Sequence, residues 1–110
     1  MTERRDRRRN VRQAMVLVNS ITGANLGRIG NLSAGGLMLI SNQPVGDSNI
    51  YQAQFQLNDP ASGTRSIDLA FQVLWCAPAS TANTFWSGCQ TIDISEEDRA
   101  AIHDWANAED

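Results

Sequence analysis

Between residues 50 and 75 the chain writes one apolar and polar alternation twice, with a turn between. In "IYQAQFQL" (50–57), Tyr51, Ala53, Phe55 and Leu57 fall on one side and Gln52, Gln54 and Gln56 on the other. In "SIDLAFQVLW" (66–75), Ile67, Leu69, Phe71, Val73 and Trp75 share a side. Successive side chains of a strand point to opposite faces, so this is the pattern of half-buried antiparallel strands with one wet face. The intervening "NDPASGT" (58–64) carries Asn, Asp, Pro and Gly, residues that reverse a chain.

Four shorter segments extend the set. "QAMVLVNS" (13–20) is valine-rich and too short for a helix, and it ends in the turn "NSITGAN". "LGRIGNLS" (26–33) places Leu26, Arg28, Gly30 and Leu32 on one side and Gly27, Ile29 and Asn31 on the other, as a glycine-weakened strand. "GLMLIS" (36–41) reads as a buried strand, and "TFWSGCQTID" (84–93) as the sixth. The period then changes. Ser95 is a candidate N-cap, acids at 96–98 suit the positive end of a helix, and Ile102 and Trp105 form a narrow apolar stripe.

Six antiparallel strands of this kind close or half-close on themselves to hide their edges, leaving a final helix to cover an open end. The expectation is therefore a mainly β fold: a six-stranded antiparallel (split) β-barrel over residues 13–94, with a C-terminal α-helix over 95–110 packed on it. Residues 1–12 read as a flexible Arg-rich arm, too polar to pack by itself. At 110 residues the chain suits one domain.

Charge divides along the same line. Residues 3–12 hold six Arg against Glu3 and Asp6, a net +4, while residues 13–110 hold three Arg against ten acids, a net −7. There is no Lys, so every cation is a planar guanidinium that can fork onto phosphate or a guanine edge, or stack on a ring. Met1 is followed directly by charge and no apolar run approaches the ~20 residues of a bilayer span, so a cytoplasmic protein without membrane insertion is expected.

Catalytic groups are not found together. His103 is the sole histidine and lies off the helix stripe, with no Ser or Cys nucleophile to place beside it. Asp47, Asp59, Asp68 and Asp93 are scattered, and Cys76 and Cys89 with one His lack a metal-ligand spacing, reading instead as buried thiols. No enzymatic activity and no metal are expected. Trp75, Trp86 and Trp105 read as core or rim residues, although one at a strand end could offer its face to a base. In "NLSAGG" (31–36), Asn31, Ser33, Gly35 and Gly36 bring an amide, a hydroxyl and open backbone N–H groups to one edge, a concavity suited to anionic oxygen.

The arm and this turn together resemble the PilZ domain, the bacterial receptor family for the second messenger cyclic di-GMP. The family's signature is Arg-x-x-x-Arg in the N-terminal arm, then Asp/Asn-x-Ser-x-x-Gly after the first strands. Here "RRNVR" supplies Arg8 and Arg12, and "NLSAGG" supplies Asn31, Ser33 and Gly36. Arg5 with Arg9 and Arg4 with Arg8 also satisfy the first spacing; Arg8 with Arg12 is preferred because Arg12 directly precedes the first strand. The passage "SGCQTIDISEEDRAAI" (87–102), strand into helix, is similar to the family's C-terminal half.

The resemblance implies that Arg8 and Arg12 clamp the ligand's guanines and phosphates, with Arg7 a third contact. It implies that Asn31 holds a guanine edge, Ser33 donates to a phosphate and Gly36 leaves room for the ligand. Trp75 is a candidate for stacking on a base. The family more often has Asp at the position of Asn31, where an amide keeps the acceptor and loses the charge. The function implied is a cyclic di-GMP receptor or adaptor whose arm is ordered by the ligand and which signals in trans to an unidentified protein effector. Two rivals are a PilZ-like adaptor without nucleotide binding and a small barrel gripping single-stranded nucleic acid, the latter disfavoured by a body at −7 without a basic groove.

Overall fold

The computed structural model describes residues 7–12, 14–46, 48–59 and 63–108, the Asp59 side chain excepted. Residues 1–6 of the arm, with Arg4 and Arg5, lie outside the described residues, as does Asp47.

Among the described residues seven strands and one helix follow in order: β1 (Arg9–Asn10), β2 (Val16–Asn19), β3 (Asn25–Ser33), β4 (Gly36–Ser41), β5 (Ile50–Asp59), β6 (Gly63–Pro78), β7 (Phe85–Ile94) and α1 (Glu96–Asn107). The neighbours run β3-β2-β5-β6-β7-β4, and β4 pairs back onto β3, so six antiparallel strands close into a barrel. Closure removes the unpaired edges that an open sheet would present. The extra strand β1 pairs with β3 at Leu32 and Asn31, beyond the stretch of β3 that β2 occupies.

The two long alternations form the hairpin β5–β6, paired from Ile50 with Gln72 to Asp59 with Gly63. Ala53, Phe55, Leu57, Ile67, Leu69, Phe71 and Val73 all point inward, where Leu17 of β2, Ile29 and Leu32 of β3 and Leu37 and Leu39 of β4 meet them. The interior is filled by side chains, as in barrels of this size.

Of the shifts in register along the barrel, two overturn a reading of the sequence by strict period. Ile29 and Leu32, expected on opposite sides, are both buried, because the register shifts between Ile29 and Asn31 and Gly30 is the extra residue. Trp75, expected on the side of Val73, is instead 43 % exposed, because the register shifts between Val73 and Trp75 and Leu74 is extra. A bulge adds one residue to one strand and so inverts the inside–outside phase beyond it.

Helix α1 starts where its cap chemistry places it: the Ser95 side chain accepts from the Asp98 N–H at 3.1 Å, ahead of three acids in the first turn. Ile102, Trp105 and Ala106 face the core. Asp98 fastens the helix to β6, its carboxylate receiving Arg65 Nε and Nη2 at 3.1 and 3.0 Å and the Asp68 N–H at 3.2 Å. His103 is exposed.

Candidate ligand-binding site

The described part of the arm, residues 7–12, runs along β3 in extended form. From Arg8 onward exposure alternates: Arg8, Asn10 and Arg12 are exposed, while Arg9 and Val11 are half-buried. The backbone is pinned by the pairing of Arg9–Asn10 with β3 and by the Val11 N–H donating to the Gly30 carbonyl at 3.0 Å. The four-residue spacing of Arg8 and Arg12 thus acquires a physical meaning. On an extended segment it puts both guanidinium groups on one side, their Cα atoms ~13 Å apart.

The inward residues explain why the arm lies there. Val11 packs against the core. Arg9 donates from Nη1 to the Trp105 carbonyl at 2.7 Å and sets its guanidinium 4.7 Å from the centre of the Trp105 ring. Helix α1 has no basic residue of its own in its last turn, so Arg9 supplies from across the chain the cation that a helix C-terminus favours. Sequence reading left Arg9 without a place; the one available signal was its odd offset from Arg8, which faces it to the opposite side of a strand.

Asn31, directly opposite Asn10, shares the outer face with Arg8. Arg8 Nη1 donates to Asn31 Oδ1 at 2.8 Å, joining two side chains that are 23 positions apart in sequence. Ser33 and Gly36 close the β3–β4 turn just beyond. Ser33 is 2 % exposed; its hydroxyl donates to the Gly36 carbonyl and accepts the Gly35 N–H, both at 3.3 Å. A Cβ on Gly36 would collide with the Cys89 carbonyl of β7, so this glycine lets β4 and β7 approach. Both residues therefore have work in the turn, apart from any ligand.

Trp75 belongs to the same outer face. Across the barrel wall Asn31 of β3 stands opposite Met38 of β4, Met38 opposite Gly88 of β7, and Gly88 opposite Trp75 of β6. Three strand spacings separate the ends of this row, ~14 Å. The row holds no carboxylate, although the barrel and helix together are acidic. The next row holds Arg28, Ile40, Trp86 and Ala77. Among the described residues no group of three or more His, Cys, Asp or Glu side chains is placed to hold a metal.

The barrel interior is filled by side chains, and the Arg8 guanidinium and the Asn31 amide meet on its outer wall. The chain belongs to the PilZ domain family, whose model matches residues 3–108. Solved structures share the fold, two of them as follows. The Bacillus subtilis inhibitor of motility MotI/DgrA superposes with a TM-score of 0.80 at 14 % identity, over 98 % of this chain and 51 % of its own. MrkH, described as a c-di-GMP-dependent transcription regulatory factor, superposes with a TM-score of 0.65 at 19 % identity, over 91 % of this chain and 48 % of its own. The chain thus spans about half the length of both. No curated protein matches it.

Proposed function

We propose that the chain is a non-enzymatic receptor for cyclic di-GMP and that the nucleotide lies on the outer wall of the barrel between the arm and β3. The meeting of Arg8 and Asn31 carries this reading. Both halves of the family signature converge on one spot, offering a guanidinium fork and an amide side by side. A guanidinium reaches O6 and N7 of guanine through two parallel hydrogen bonds, and an amide oxygen accepts from the guanine Watson–Crick edge. Arg12, on the same side of the arm, would meet a phosphate or the second face of the base, with Arg7 adjacent. Ser33 would contribute to the ligand chiefly by shaping the turn, and Gly36 by the close approach it permits.

Arg8 and Asn31 hydrogen-bond to each other, so a nucleotide bound at this spot would exchange that one bond for several of its own. Residues 4–12 would then be fixed over the ligand, and the surface so formed would be read in trans by a protein effector. MrkH's description as c-di-GMP-dependent supports the choice of ligand.

Calorimetry with cyclic di-GMP tests the reading. Saturable binding is expected, weakened by about 1–3 kcal/mol in each of Arg8→Ala, Arg12→Ala and Asn31→Ala, the size of a lost charged or bidentate contact. No heat and no shift changes in the intact chain would leave a PilZ-like scaffold without nucleotide binding. Equal affinity for oligonucleotides, falling steeply with salt, would favour a nucleic-acid binder.

A further inference from the structure

Gly88 lies in the middle of β7, where a glycine costs conformational entropy and packs nothing. Its reason is visible on the outer face. A Cβ built there would collide with Nε1 of Trp75 and stand 2.6 Å from Cε2 and 3.0 Å from Cζ2 of the same indole. The Trp75 ring thus occupies the space that any other residue at 88 would fill. It is folded down across β7 instead of standing off β6. The bulge at Leu74 is what turns Trp75 outward to begin with.

From this geometry we infer that Gly88 is a positioning residue for nucleotide recognition. It seats the Trp75 indole on the barrel wall, leaving the outer side of the ring as a preformed stacking surface for one base of the ligand. The inference rests on the cyclic di-GMP reading and adds to it where the second base goes. One guanine is held at its edge by Arg8 and Asn31. The other stacks on Trp75 at the far end of the row through Met38 and Gly88, ~14 Å of wall measured between the end Cα atoms. A cyclic dinucleotide, with a base at each end of its ring, fits a site with two such ends. A ring already held in place loses little rotamer freedom on binding, which is how preorganisation raises affinity.

The test uses the full chain and two readouts. Without ligand, the indole ring current should shift the Gly88 Hα and Met38 methyl NMR signals upfield, and both should return towards ordinary positions in Trp75→Ala. Absence of that shift in the intact chain overturns the seat whether or not any variant folds. In calorimetry with cyclic di-GMP, Trp75→Ala should bind about 5- to 150-fold more weakly, the range for one lost base–aromatic stack. Gly88→Ala should lose a comparable factor, Trp75→Phe should recover part of the Trp75→Ala loss, and the double variant should bind no more weakly than Trp75→Ala alone. Gly88→Ala binding like the intact chain, or losses that multiply in the double variant, would overturn the positioning role. An intact chain that shows the ring-current shift yet takes up no cyclic di-GMP overturns the receptor reading and the stacking role with it, while leaving the Gly88 seat standing.

Discussion

At the scale of single residues, side chains that look alike in a motif divide by where the backbone sends them. Ser33 is buried and holds the β3–β4 turn by its two hydrogen bonds. Ser33→Ala should therefore cost about 1–3 kcal/mol of stability in a urea titration, because the Gly35 N–H loses its acceptor. A hydroxyl that served only the ligand would leave the midpoint unchanged. Cys89 gives a pH test. Burial, with Cys76 nearby as a smaller cause, pushes its thiol from 9.0 up to about 12. The folded chain thus keeps a proton that the unfolded chain gives up, so this contribution is whole below pH 9 and is lost as pH rises from about 9 towards 12. The slope should be about 1.4 kcal/mol per pH unit at most, and Cys89→Ala should remove it from the alkaline limb of a stability profile. The motif residues Arg8, Arg12 and Asn31 are legible in the sequence by their spacing. The partners of Ser33 and Arg9 are not, because they are made by turn closure and by an end-to-end contact across 96 positions.

At the scale of elements, the strands with unbroken alternation are found directly from sequence, since burial on one face fixes the period. The hairpin β5–β6 and helix α1, with Ser95 as its cap, are the clearest cases. Outward and inward assignments fail at Gly30 and Leu74, where a bulge sets an extra residue against the neighbouring strand, a matter of pairing that one strand's own pattern does not carry. The same bulges bring Asn31 and Trp75 to the outer face, so the misread residues are those of the proposed site. Residues 7–12 of the arm add a contact of their own: Val11 is half-buried against the core and Arg9 is set against α1. Arg9→Met removes both the hydrogen bond to Trp105 and the cation–π contact, and should destabilise the chain by about 1–2 kcal/mol. Amide exchange should quicken at the end of α1 and at Val11, whose N–H bonds to β3. Exchange that quickens at neither would separate the arm from the helix.

At the scale of the whole molecule, charge and shape are segregated. The arginine arm is positive, the rest of the chain is negative, and the row from Asn31 to Trp75 holds no carboxylate, so at the proposed site a doubly anionic nucleotide would meet attraction. A ligand bound by the folded chain alone also stabilises it by mass action, about 2.7 kcal/mol at one hundred times Kd. Cyclic di-GMP should therefore raise the thermal midpoint, and the rise should vanish in Arg8→Ala. An equal rise in that variant would place the ligand elsewhere. The most direct measurement of where the nucleotide lies is a titration of the isotope-labelled chain followed by amide and indole NMR shifts. The expected map is a continuous band across the outer wall: residues 7–12, then 31–36, then Gly88 and the Trp75 indole, with the buried amides of β5 unmoved. Shifts gathered on the far side around Gln52, Gln54 and Gln56, or none at saturating cyclic di-GMP, would contradict it.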